Sequence, residues 1–253
     1  MIDLHCHLLP GVDDGSRSVE QSVRVLTTMR ETGVTAVCLT PHHTIGHLRR
    51  GLPPAHDAAF EALSAAAPAG VSLHRGVELM LDRAVSPDLA EHPEIRLAGT
   101  RYVLVEFSRL TALSSISNAL HQIGQLGMVP LLAHPERYAA CSHESARHWK
   151  SLGAVLQVDA TTLLTPRGRG RRARELLADG LADIIAADNH GDDRLIGAGY
   201  RFLCEAGGSS QADYLARRNP AAILADAELE PVPPIMFKTG LMDRLRHLLE
   251  DGS

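Results

Sequence analysis

Histidine and carboxylate residues recur where apolar runs of this chain end, and that placement is the first chemical signal. One run closes in His5-Cys6-His7, others close in Pro41-His42-His43, Glu78, Glu106 and His134, and a last one enters Asp188-Asn189-His190. If these runs are strands, alternation puts His5 and His7 on one face and Cys6 on the other, so two imidazoles can share one cation. A His-x-His pair alone is a weak sign. Five histidines and at least three carboxylates, each at a strand end, are hard to obtain from solvated loops. Mixed imidazole and carboxylate ligation suits zinc, manganese or iron. Glu78 closes an apolar strand, where an unpaired charge is costly to bury, and this marks it as a bridging carboxylate. Asp13-Asp14-Gly15 would be an ordinary turn in isolation. Beside His5 and His7 it reads as a ligand-bearing loop.

Short runs rich in β-branched residues must position these groups. The pattern predicts strands at Ile2–His5, Val34–Thr40, Val71–Glu78, Tyr102–Phe107, Val129–His134, Ala154–Asp159 and Ala182–Asp188. Amphipathic stretches predict helices at Val19–Thr32, Pro54–Ala67, Ser115–Leu126, Glu144–Leu152 and Arg169–Asp179, each with a glycine shortly before the next strand as its C-terminal cap. Seven strand–helix units imply a parallel sheet covered on both sides and suggest a closed or nearly closed barrel, with an open doubly wound sheet as the alternative. In a parallel barrel the C-terminal strand ends share one face, so residues scattered from His5 to His190 become neighbours. Further helices are expected at Gly197–Ala206, Ser209–Leu215 and Pro220–Asp226. A proline-rich link and a last helix, Gly240–Glu250, follow. The expected division is a barrel domain over residues 1–230 and a C-terminal linker and helix over 231–253.

Composition narrows the class. At 253 residues, with 22% charged and 45% hydrophobic residues, the chain is an ordinary globular protein. A net charge of −5 leaves no global basic field and argues against nucleic acid as a partner. Fourteen histidines against one tryptophan are a surplus that fits metal chemistry. The four cysteines are far apart, Met1–Leu9 lacks a basic stretch followed by an apolar one, and no apolar run is long enough to span a bilayer. A cytoplasmic protein with reduced thiols and no membrane insertion is expected.

Two further patterns compete for attention. Cys141 and Arg147 fit the Cys-x5-Arg spacing of cysteine-dependent phosphatases, but that chemistry needs a glycine-containing anion loop between a strand and a helix, whereas this stretch has no glycine and no strand runs directly into Cys141. The basic run Arg167, Arg169, Arg171, Arg172 and Arg174 reads as a solvated helix start. Its alternative is a docking strip for an acidic or phosphorylated tail.

At these residues the sequence resembles a known superfamily. The opening Met1–Gly15 segment, Thr40-Pro-His-His43, Gly76-Val-Glu78, Ala133-His-Pro-Glu-Arg137 and Ala187-Asp-Asn-His190 resemble the polymerase-and-histidinol-phosphatase (PHP) superfamily. More narrowly they resemble its bacterial tyrosine-protein phosphatases of capsule and exopolysaccharide operons, over most of the chain. The resemblance implies a distorted (β/α)7 TIM-like barrel carrying a cluster of two or three divalent ions, manganese first, with iron or zinc as alternatives. One metal would take His5, His7, Glu78 and Asp188, and a second Glu78, Glu106 and His134. A third would take Asp14, His42 and His190, with Asp13 the lesser choice for this role and His43 an outer neighbour. Arg137 matches a phosphate-binding arginine of the branch. A second such arginine normally follows the last histidine by five residues, whereas Arg194 follows His190 by four and Arg201 is a distant substitute.

The implied function is hydrolysis of protein phosphotyrosine by in-line attack of a metal-bridging hydroxide, without a covalent enzyme intermediate. The implied partner is a membrane-associated bacterial tyrosine kinase that controls capsule or exopolysaccharide synthesis. Rival readings are a small-molecule phosphatase such as histidinol phosphatase, a hydrolase of non-phosphate substrates, and a catalytically idle regulator that binds phosphotyrosine.

Overall fold

Nine short strands and eight α-helices alternate through most of the computed structural model, which describes residues 1–237. The strands are β1 (Ile2–Cys6), β2 (Ala36–Leu39), β3 (His42–Thr44), β4 (Ser72–Arg75), β5 (Glu78–Met80), β6 (Tyr102–Glu106), β7 (Val129–Ala133), β8 (Val155–Asp159) and β9 (Ile184–Ala186). The helices are α1 (Val19–Glu31), α2 (Pro54–Ala66), α3 (Leu113–Gln125), α4 (His143–Ser151), α5 (Arg169–Ala178), α6 (Ile196–Glu205), α7 (Ser209–Asp213) and α8 (Asn219–Leu224). The first five helices begin and end within two residues of where the sequence pattern puts them. Beyond α7 the chain widens into a π-helical turn at Tyr214–Arg218, which bridges the helices expected at Ser209–Leu215 and Pro220–Asp226.

Every strand pairing is parallel, as the apolar runs and intervening helices require. The strands fall into two sheets, ordered β1-β2-β4 and β3-β5-β6-β7-β8-β9, and no single closed sheet forms among the described residues. The division has a local cause. Pro41 supplies no N–H to continue the ladder of β2, so the chain restarts as β3, while the Glu78 N–H donates to the Pro41 carbonyl at 3.1 Å. Across the other gap, Asp188 N donates to His5 O at 3.0 Å and His7 N to Asn189 O at 2.7 Å, joining the end of β1 to the segment after β9.

Helix ends and faces follow elementary rules. The Ser18 hydroxyl accepts the Gln21 N–H at the start of α1, and Ser142 does the same for Ser145 at α4. α1 buries Val25, Leu26 and Met29 against the core, and α4 buries Trp149. Each fully buried side chain of this size contributes roughly 1.5–3 kcal/mol. After α8 the chain returns along the body, with Val232 and Ile235 buried and Ile235 N donating to Leu177 O at 3.2 Å. The helix expected at Gly240–Glu250 lies outside the described residues. Among the described residues no helix is long and apolar enough to cross a membrane.

Candidate metal centre

Register decides which side chains meet. β3 pairs with β5 so that His42 lies beside Glu78, and β5 pairs with β6 so that Met80 lies beside Glu106. His5 and His7 come from the end of β1, His134 follows β7, and Asp188 and His190 follow β9. His134 and Asp188 both take left-handed backbone, with φ of 34° and 49°, which is uncommon for residues other than glycine and turns each chain sharply at its strand end. Gly15 serves the same geometry. A Cβ there would overlap the His7 carbonyl, so only glycine lets the Asp13–Asp14 loop fold back onto β1.

These elements form three overlapping donor groups: His5, His7, Glu78 and Asp188; His42, Glu78 and Glu106; and His7, Asp14, His42 and His190. Within each group the donor atoms lie within 4.8 Å of one another. Glu78 stands at the middle. Its Oε2 is 3.2 Å from Nε2 of both His5 and His7 and 3.0 Å from His42 Nδ1, while its Oε1 is 3.0 Å from His134 Nε2. Glu106 is 3.3 Å from His42 Nδ1 and 3.9 Å from His134 Nε2. Asp14 Oδ1 is 3.4 Å from Nε2 of both His42 and His190. All nine residues named from the sequence therefore meet at one end of the strands.

Hydrogen bonds behind the cluster fix how the imidazoles face. His5 Nδ1 lies 2.8 Å from Gln157 Oε1, His7 Nδ1 lies 2.8 Å from Asp13 Oδ2, and His190 Nδ1 lies 3.0 Å from the Asp188 carbonyl. Each partner is an acceptor, so Nδ1 carries the proton and the Nε2 lone pair points inward. His5 Nε2 and His7 Nε2 then face each other at 3.2 Å, and both lie 3.3 Å from Asp188 Oδ1. Glu78 Oε2 and Asp188 Oδ1 are buried there without a hydrogen-bond partner. Converging lone pairs and carboxylate oxygens of this kind need a cation.

The electrostatics agree. Burial opposes the charge of His42, yet Glu106 and Glu78 outweigh it and lift its pKa to about 10. Burial likewise opposes charge on His7, and Asp13, Asp188 and Glu78 overcome it. Glu78 and Asp188 are held well below the usual carboxylate range against burial, His5 being the largest opposing influence on each. The cluster thus demands positive charge, which protons or metal ions supply. Imidazole and carboxylate donors in this number fit divalent metal.

Two arginines border the cluster. The Arg137 guanidinium contacts Asp159 and lies 2.6 Å from Asp188 Oδ2. Arg194 pairs with Asp192 at 2.8 Å and reaches within 3.9 Å of Asp188 Oδ2. Arg201 lies on α6, with no ion pair among the described residues.

Comparison with known proteins fits this arrangement. The profile of the capsular polysaccharide synthesis family CpsB/CapC matches residues 1–225. The chain belongs to this family. It is 26% identical over 243 residues to the tyrosine-protein phosphatase CpsB of Streptococcus agalactiae, covering 88% of this chain and 98% of that protein. It is 27% identical over 196 residues to the tyrosine-protein phosphatase YwqE of Bacillus subtilis, covering 75% and 77%. In fold it is similar, with a TM-score of 0.78 and 23% identity over 93% of this chain and 100% of the other, to a chain from the crystal structures of Bacillus subtilis YwqE and Streptococcus pneumoniae CpsB, metal-dependent tyrosine phosphatases.

The readings of His43 and Arg174 need correction, whereas Asp13 and Cys141 fall where the sequence ranked them. Asp13 lies behind His7 as its hydrogen-bond partner, outside the three donor groups. His43 alternates to the opposite face of β3, where His56 and His47 are the charges nearest in influence, so it does not back the cluster. His56, on α2, is buried. Arg174 is not solvated: it is 4% exposed and donates to three backbone carbonyls. Cys141 is buried, and burial pushes its thiol up to about 12, the reverse of an activated thiolate. Sequence reasoning also missed Gln157 and Asp159. Both project inward from β8 at alternate positions, and two polar residues on the buried face of a strand were the available signal.

Proposed function

We propose that this family member is a metal-dependent protein-tyrosine phosphatase, a phosphoric monoester hydrolase. The carrying observation is the meeting of inward Nε2 lone pairs with the unpartnered carboxylate oxygens of Glu78 and Asp188 beside Arg137. His5, His7, Glu78 and Asp188 would hold one divalent ion, Glu78, Glu106 and His134 a second, and Asp14, His42 and His190 a third, with manganese the first choice over iron or zinc. Such ions, when bound, lower the pKa of water and neutralise phosphoryl oxygens.

The chain's own residues supply the rest. Gln157 and Asp13 hold the Nδ1 protons of His5 and His7, so neither imidazole turns a donor toward the anion. Arg137, held in place by Asp159 and Asp188, offers planar paired donors to phosphoryl oxygens. Arg194, anchored by Asp192, is the second such donor, and its 3.9 Å approach to the same Asp188 oxygen that Arg137 contacts supports this role despite the shortened spacing from His190. Burial of His5, His7 and Glu78 keeps bulk water from the inner side of the cluster.

The names of its relatives support phosphotyrosine on a protein as the substrate, and the family description supports capsule or exopolysaccharide synthesis as the setting. A membrane-associated bacterial tyrosine kinase, met from the cytoplasmic side, is the proposed partner. We also propose that the two sheets are segments of one distorted (β/α)7 barrel over residues 1–230, with 231–253 appended. The backbone bonds from His7 and Asp188 across β1 and β9 support it.

The test is turnover of a phosphotyrosine peptide against histidinol phosphate, with and without manganese and chelator. Metal-dependent hydrolysis of the peptide is expected. Activity that survives metal removal, or that is confined to histidinol phosphate, overturns the proposal.

A further inference from the structure

Beside the metal centre lies a concentration of arginine that the chemistry above does not use. Arg109 sits in the loop between β6 and α3, and its carbonyl accepts the Ala139 N–H at 2.8 Å. That bond fastens its loop to the Pro135–Arg137 turn. From the other side, Arg172 of α5 donates to Tyr138 O at 2.9 Å. Arg169 opens α5 and is exposed. The two bonds bring the Arg109 loop and the start of α5 to the same turn, and the Arg169 pKa is drawn below the usual value by burial first and then by the like charges of Arg109, Arg137 and Arg172, with the Glu136 carboxylate opposing them. The ion pairs here are Arg137 with Asp159 and Asp188, and Arg171 with Glu175. Among the described residues neither Arg109 nor Arg169 has a carboxylate partner.

The edge that presents them is built rather than loose. Arg174 donates to the carbonyls of Leu163, Thr165 and Pro166 at 2.8, 2.8 and 2.9 Å. A Cβ on Gly170 would overlap the Thr165 carbonyl, so the loop is packed directly on the first turn of α5. A chain of net charge −5 therefore spends its buried hydrogen bonds on holding like charges together at one rim. That arrangement becomes favourable when an anion arrives.

We propose that Arg109 and Arg169 form an anion-docking strip flanking the phosphoryl site, which binds an acidic or phosphorylated residue of the substrate polypeptide close to the target residue. Their planar donor forks suit carboxylate and phosphate alike. The strip rests on the phosphatase reading for the identity of the residue held in the metal centre.

The experiment compares wild type, Arg109→Ala/Arg169→Ala and Arg109→Lys/Arg169→Lys on four probes: para-nitrophenyl phosphate and phosphotyrosine peptides flanked by three serines, three aspartates or a second phosphotyrosine. The alanine variant should raise KM about tenfold on the two anionic peptides at low salt, with kcat unchanged and the other probes unaffected; lysine should restore part of the loss. A loss on the doubly phosphorylated peptide alone assigns the strip to phosphate, and a loss on both assigns it to anions in general. Equal effects on all four probes, or none, overturn the strip. Loss of binding to phosphatidylglycerol vesicles with peptide kinetics unchanged would also overturn it, in favour of a membrane contact. Peptide affinity measured by fluorescence anisotropy separates the two readings. An enzyme that turns over no probe yet loses anionic-peptide affinity in the alanine variant refutes the phosphatase and keeps the strip.

Discussion

The inner and outer parts of the metal centre use the same residue types in opposite surroundings. His5, His7 and Glu78 are fully buried and Asp188 is 2% exposed, each imidazole with its far nitrogen bonded. On the outer side the Asp14 side chain is 70% exposed, His42 36% and His190 18%. The inner group cannot relax or recruit water when a donor is lost, whereas the outer group can. A preformed buried group and an open one therefore divide the work: the first sets the charge of the site, and the second leaves room for a phosphoryl group to enter.

The comparison breaks most easily at the ligands themselves. His7→Ala should lower kcat/KM by about 10³-fold or more, and added manganese should not restore it. Asp14→Ala should lose only about 10- to 100-fold and recover part of that in excess manganese. Equal losses in the two variants would erase the distinction. Next, Gln157→Leu removes the acceptor behind His5, and isothermal titration should show metal affinity reduced about 10- to 100-fold. Chelator titration followed by metal analysis sharpens the same contrast, because the exposed group should release its ion well before the buried ones do; a single phase would count against it.

A smaller effect concerns pH. Burial, then the charge of Asp159, raises the Glu136 carboxyl from 4.5 to about 8. The folded form binds that proton more tightly than the unfolded chain. The resulting stability is present in full below pH 4.5 and is lost as pH rises through about 8. Glu136→Gln should therefore flatten the fall of the thermal midpoint across that window, as read by circular dichroism. Smallest of all, Cys141→Ser should leave turnover unchanged, since its buried thiol stands apart from the cluster.

The legibility of these features follows the range of the forces behind them. Helices α1 to α5 were readable because apolar periodicity and the glycine that precedes the next strand act within a few residues. The donor residues were readable because strand ends of a parallel sheet share a face. The split into two sheets was not, since it turns on one missing N–H at Pro41 and on the reach of the Glu78 amide. Nor were Gln157 and Asp13 assigned as partners behind the imidazoles. Which polar residue backs which histidine depends on contacts spanning up to 152 positions, and no local pattern encodes them. Arg174 misled for a related reason: a basic run reads as solvated, and only the tertiary path of Leu163–Pro166 provides the carbonyls that bury it.

The bond from Asp188 N to His5 O joins the first strand to the segment after the last one, and the inner donor group cannot exist until it forms. Contacts of such long sequence separation carry the largest loop-closure cost and come late in folding. A nascent or misassembled chain thus has scattered histidines but no cage. Tight metal loading becomes a certificate of completed assembly, and loss of the ion removes a clasp between the first strand and the last.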